Sequence, residues 1–205
     1  MFGFTEKELG IFRSLKTPKK IQDFLETIPI NFEKNGDTCF SPRRVLREWR
    51  CQCIEGALLA AAALRMNGYA PLIVDLEADS HDDDHVIAVF KQHGCWGAIS
   101  KTNHAILRYR DPVYRSIREL VMSYFPEYTN DEGTLNLRSF SRPVNLSRFD
   151  RQGWMTAEED VWYIPEYLVE CRHHRILTPA MARRLRKADP LVILSRKIEQ
   201  WKYRR

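Results

Sequence analysis

No stretch of the 205-residue chain stays apolar for the roughly twenty residues that a membrane-spanning helix needs. The longest candidate, Cys53 to Leu64, is too short and carries Glu55. The N-terminus lacks a charged region followed by an apolar block and a small-residue cleavage site, so a cytoplasmic protein with no membrane partner is expected. Internal repeats and low-complexity tracts are missing too, which excludes repeat arrays. A disulfide framework is excluded in the same way. The five cysteines (39, 51, 53, 95 and 171) are an odd number with no small secreted scaffold around them, and read as reduced thiols. Strong charge of one sign is absent: the net charge is +5, and its excess lies after Thr134, where fifteen Lys or Arg face eight Asp or Glu.

What remains is the composition of an ordinary globular protein, 44% apolar and 29% charged, long enough for one good core. Residues 1–16 fit a short packed helix. Thr17-Pro18, Ser41-Pro42 and Thr178-Pro179 each place a capping hydroxyl before a proline, the signal of a helix start. The first opens a helix with Ile21, Phe24, Leu25 and Ile28 on one face. The second opens one whose Arg43, Arg44, Arg47 and Arg50 are expected to form a solvated basic face. From Cys53 to Met66 the pattern is apolar nearly all round, as in a buried central helix, and Asn67-Gly68 ends it. Strands are expected over Pro71–Glu77, His85–Lys91, Cys95–Ser100 and His104–Tyr109, joined by short connections into an antiparallel meander. Beyond them come a helix from Asp111-Pro112 and an edge strand over Thr134–Phe140. A surface linker over Pro143–Gly153 and helical segments near Pro165–Arg175, Thr178–Lys187 and Pro190–Arg205 follow. The fold class is α+β, with residues 1–145 as the core domain and 146–205 as a mostly helical C-terminal extension packed on it.

Cys53 opens the apolar helix, and a helix N-terminus presents unpaired N–H groups and partial positive charge. A thiol there is easier to ionise, and its own backbone N–H points to where a tetrahedral oxyanion forms. His85, opening a neighbouring strand, is placed to take the thiol proton and return it to a leaving group. A cysteine in an alanine-rich helix is also a common small core residue, and a histidine at a strand start is often simply a surface residue. His104 is an alternative base. Cys51, Cys53, His81 and His85 would supply four zinc ligands, but His81 and His85 straddle a loop-to-strand junction and the intervening aspartates read as a solvated turn, so no metal or cofactor is expected. The basic tail from Arg183 to Arg205, with Trp201 and Tyr203, is broken by Asp189 and Glu199 and reads as an amphipathic helix rather than a nucleic-acid-binding surface.

Across roughly residues 40–110 the chain resembles the transglutaminase-like superfamily of papain-type cysteine enzymes. The resemblance rests on Cys53, Ala57, the helix-ending Gly68 with Ala70-Pro71 after it, the strand His85-Val-Ile-Ala-Val, and Gly94-Cys95-Trp96 on the next strand. It singles out Cys53 over Cys51. It implies Cys53 as nucleophile and acyl carrier and His85 as general base and acid, acting without a cofactor on a peptide, protein or small acyl substrate. The family's third catalytic residue, an aspartate four residues after the tryptophan, is Ser100 here, and Asn103 is the other residue placed to orient His85. Asp84 adjoins His85, but its side chain belongs to the opposite sheet face. The implied activity is a thiol-dependent hydrolase or acyltransferase working on an amide or acyl bond; the alternative is a catalytically inactive domain of the same fold that binds a peptide or protein in the cleft.

Overall fold

The computed structural model describes residues 2–34, 36–80 and 82–200. Four helices come first: α1 (Glu6–Ser14), α2 (Pro18–Thr27), α3 (Pro42–Glu48) and α4 (Cys53–Met66). Thr17 Oγ1 accepts the Lys20 N–H at 3.3 Å and Ser41 Oγ that of Arg44 at 3.2 Å, so both hydroxyl-plus-proline pairs cap helices. Every residue from Glu55 to Leu64 is buried, because α1, α2 and α3 cover the side of α4 that the sheet leaves open. Each fully buried leucine of that helix, such as Leu58 or Leu59, contributes about 1.5–3 kcal/mol. Gly68, at φ 84°, lets the chain leave α4 in the left-handed region.

Strands β1 (Leu72–Glu77), β2 (His85–Gln92), β3 (Cys95–Ser100) and β4 (Arg110–Tyr114) form an antiparallel meander. The other edge of β1 takes β5 (Ser139–Ser141) near Leu76 and β6 (Val144–Asn145) near Leu72, and β7 (His173–Arg175) adds outside β5. Among the described residues the sheet has seven strands. It is covered on both faces. Val86, Ala88 and Phe90 pack with α4, while Ile87 and Val89 pack with Leu120, Tyr124 and Tyr128 around α5 (Ile117–Met122). That double burial explains why β2 reads as one unbroken apolar run.

Several expectations need correction. His104–Tyr109 is an irregular loop; the fourth strand begins at Arg110, because Leu107 sits at φ 58° and breaks any extended run. Pro112 lies inside β4 rather than opening a helix, which an edge strand tolerates because it has one unpaired side. The helix starts instead at Ser116, whose Oγ accepts the Glu119 N–H at 3.1 Å. Thr134–Phe140 supplies a strand only from Ser139, and the expected linker over Pro143–Gly153 is β6 plus a packed 3-10 segment that buries Leu146 and Phe149. The helix near Pro165–Arg175 is α6 (Tyr163–Glu170), after which β7 joins the sheet. The capped helix at Thr178 is a single turn, α7 (Pro179–Ala182), followed by α8 (Pro190–Arg196). The part of the expected last helix that carries Trp201 and Tyr203 lies outside the described residues. Nor is the arginine face of α3 simply solvated: Arg43 pairs with Glu8 at 2.9 Å, Arg44 with Asp160 at 2.8 Å, and Arg47 with Glu158 at 2.5 Å.

Beyond residue 145 the chain divides in two. Leu146, Phe149, Trp154, Val161, Ile164 and Leu168 share the core around α4, whereas α7 and α8 bury none of their residues.

Candidate active site

Cys53 is the first residue of α4 and lines a cavity of about 430 Å³ together with His85, Asn103, His104 and Lys101. The helix start is fixed by Glu55, a fully buried carboxyl that accepts from Gln52 N at 2.7 Å, Phe40 N at 2.8 Å and Thr38 Oγ1 at 2.7 Å. These bonds tie the loop before α3 to the first turn of α4 and so set the height of Cys53. Gly56, one residue on, has to be bare: a Cβ there would sit 2.4 Å from Lys101 Cβ. Lys101 passes under it to donate to the carbonyls of Leu25, at 3.0 Å, and Ile28, where α2 ends. A cation at a helix C-terminus complements the dipole and satisfies carbonyls left without helical partners.

His85 stands at the start of β2 and is 7% exposed. Its Nε2 lies 2.8 Å from Ser100 Oγ, and that hydroxyl donates to the carbonyl of Leu107 at 2.5 Å. Because the single hydroxyl proton goes to Leu107, Nε2 must be the protonated ring nitrogen and Nδ1 the free acceptor. Strand alternation explains the contact. Ser100 pairs opposite Ile87, so it shares a sheet face with His85 two residues before. Leu107 is itself held, its N–H donating to Glu127 Oε2 at 3.0 Å. The backbone of Ser100 is clamped from the other side by one amide: Gln22 Oε1 accepts its N–H and Gln22 Nε2 donates to its carbonyl, both at 2.9 Å.

Of the two residues expected to orient His85, Ser100 therefore makes the ring contact, while Asn103 lines the cavity and its carbonyl accepts the Gln200 N–H at 2.6 Å. Asp84 accepts from Ala78 N at 2.8 Å and lies on the cavity rim. His104 Nδ1 donates to the carbonyl of Arg196 at 2.8 Å, which leaves Nε2 as its acceptor nitrogen. Cys51 is fully buried against α4 and is not part of the cavity wall. His81 lies outside the described residues, and among those described no group of three or more His, Cys, Asp or Glu is placed to hold a metal. Arg110 pairs with Glu127 at 2.8 Å.

The electrostatics are those of a neutral resting pair. Burial pushes the Cys53 thiol up to about 11; the N–H groups of Val86 and Ile54 beside its sulfur pull the other way, and the nearby Asp75 and Glu55 push further up. Burial and, second, the nearby His104 lower His85 to about 4. Near pH 7 the thiol is protonated and the imidazole is uncharged. Among the described residues no hydrogen bond joins the two side chains.

Gln22, Leu107 and Glu127 were not singled out in the sequence. Gln22 had a signal: it shares the buried face of α2 with Ile21 and Leu25, and a lone polar residue on an apolar stripe needs a partner. Leu107 and Glu127 had none, since their roles depend on a loop conformation and on a turn far along the chain.

No family model matches the chain, and no curated protein matches it either.

Proposed function

We propose that the protein is a thiol-dependent hydrolase or acyltransferase in which Cys53 attacks an amide or related acyl carbon and His85 moves the proton. The observation that carries this reading is the His85–Ser100–Leu107 relay in the cavity that Cys53 also lines, which holds the imidazole in one tautomer with Nδ1 as base. Nδ1 takes the thiol proton as sulfur attacks, and the Cys53 N–H, unpaired at the helix start, receives the oxyanion. Collapse to the thioester returns the proton to the leaving amine or alcohol. Water or an amine then repeats the cycle with His85 as base. The resemblance to the transglutaminase-like superfamily supports the same roles, with a serine hydroxyl where that family has a carboxylate. A hydroxyl orients the ring but adds no negative charge, which accords with an imidazole that stays neutral. All five cysteines are unpaired, as suits a reducing compartment, and we place the protein in the cytoplasm.

The thiol's upward shift favours a second reading, a domain that binds a peptide or protein in the cleft without catalysis. The pH dependence of Cys53 alkylation by iodoacetamide separates the two. A thiol served by His85 as general base reacts at a nearly level rate once the imidazole is deprotonated, above about pH 5, whereas a thiol acting alone gains about tenfold per pH unit up to about 11. The expected result is a level profile in the wild type and the steep one in His85→Ala. Steep profiles in both would leave only the binding role.

A further inference from the structure

Part of the cavity lining comes from residues late in the chain. Arg196 and Glu199 line it, and the segment Ile198–Gln200 runs antiparallel to Asn103–Ala105. Ala105 N donates to the Ile198 carbonyl at 3.0 Å, Gln200 N donates to the Asn103 carbonyl at 2.6 Å, and His104 faces Glu199 between them. This is strand addition in miniature: two main-chain bonds that any extended peptide can make. The side-chain anchor is equally defined. The Arg196 guanidinium meets Asp82 at 3.3 Å and Asp131 at 3.4 Å and donates to the Thr129 carbonyl. Thr129 Oγ1, in the same lining, is buried and has no hydrogen-bond partner. Asp83 and Asp84 extend the acidic rim.

The segment that occupies this edge is held lightly. α7 and α8 bury no residue, Leu191 and Leu194 are exposed, and the arm rests on Gly133, where it packs Ile193 and bonds Ala188 N to the Gly133 carbonyl at 2.8 Å. A unit with so few buried apolar contacts opens at low cost relative to the core.

We infer that Asn103–Ala105 is a docking edge for an extended basic peptide, with an acidic pocket at Asp82 and Asp131 for its arginine, and that the chain's own Arg196–Gln200 occupies it as an internal competitor. The inference builds on the reading of the Cys53 cavity as a working cleft, yet it concerns access and not chemistry. Release of the arm exposes the edge in the Cys53 cavity; a peptide of matching pattern then binds, through the residues two to four positions after its arginine, in the place that Ile198–Gln200 leave.

The test uses a chain ending at Leu194, the full-length Arg196→Ala variant, and a fluorescent peptide with the sequence of residues 194–205. The shortened chain is expected to bind the peptide, and the full-length wild type to bind it at least tenfold more weakly, the difference that nine-tenths self-occupancy produces. Arg196→Ala, with its anchor gone and its fold kept, is expected to bind more tightly than wild type. Iodoacetamide labelling of Cys53 should rise several-fold on shortening and fall again with added peptide, and by the same factor when His85 is also alanine. A failure of catalysis therefore does not mimic a failure of docking. Equal peptide binding by wild type and Arg196→Ala, or none by a shortened chain with a wild-type circular dichroism spectrum, would overturn the inference.

Discussion

Replacing Ser100 with alanine removes the one oxygen that both receives the His85 N–H and gives its own proton to Leu107. A buried ring N–H and a half-buried carbonyl then lose their partner, and a loss of about 1–3 kcal/mol is expected in urea denaturation. A second residue-scale expectation follows from two opposed titrations. His85 falls to about 4 from 6.5, so the unfolded chain binds its proton first and stability is lost as pH drops from 6.5 toward 4. Asp75 rises to about 6 from 3.8, mainly by burial and then by the nearby Asp84, although the hydrogen bond from His173 opposes the shift. The folded chain thus binds that proton first, and stability is gained over much the same range. The two nearly cancel in the wild type. His85→Gln should therefore grow more stable between pH 6 and 4, by up to about 3 kcal/mol relative to its pH 7 value, and Asp75→Asn less stable by a similar amount. Parallel pH–stability curves for all three proteins would mean that neither group is shifted.

At the scale of elements, the Cys53 helix and the chain leaving β3 approach closely because α4 is bare at Gly56, where Lys101 crosses. Gly56→Ala gains about 1 kcal/mol of helix propensity yet forces a Cβ into Lys101, and a net loss of about 1–2 kcal/mol is expected as a lower melting temperature. An unchanged or higher melting temperature would show that Lys101 yields freely. The same elements divide what the sequence discloses from what it hides. α4, β1, β2 and β3 are legible because each carries its own signal: all-round apolarity closed by Asn67-Gly68, and short apolar runs set between turn residues. The family resemblance, counted four residues on from Trp96, implies Ser100, whose hydroxyl contacts the His85 ring. The loop 101–109 is hidden for a physical reason. Its conformation answers to Lys101 under α4, to Glu127 on Leu107 and to Ile198 on Ala105, contacts made by residues distant in sequence. The expected fourth strand fails there because local apolar alternation cannot report a left-handed Leu107.

On the scale of the whole molecule, one apolar cluster surrounds α4 on one sheet face and a second surrounds α5 on the other, while the arm from residue 178 to 200 touches the turn at Gly133 through Ala188 and Ile193 and lines the Cys53 cavity through Arg196 and Glu199. Amide hydrogen exchange should follow that division, with the amides of α4 and β2 slowest and those of α7 and α8 exchanging early, independently of global unfolding. Exchange of α8 in step with α4 would show that the arm is part of the core and does not open alone. No helix among the described residues is long and apolar enough to cross a membrane, and the cavity opens beside the acidic rim at Asp82, Asp83 and Asp84. The central claim is that Cys53 forms an acyl bond with His85 serving as its base. Intact-mass analysis after exposure to p-nitrophenyl acetate at pH 7 tests it most directly. One acetyl group on Cys53 that forms and then turns over is expected in the wild type, with none in Cys53→Ala and far slower formation in His85→Ala. Acetylation spread over the other four cysteines, or equally fast at Cys53 without His85, would contradict it.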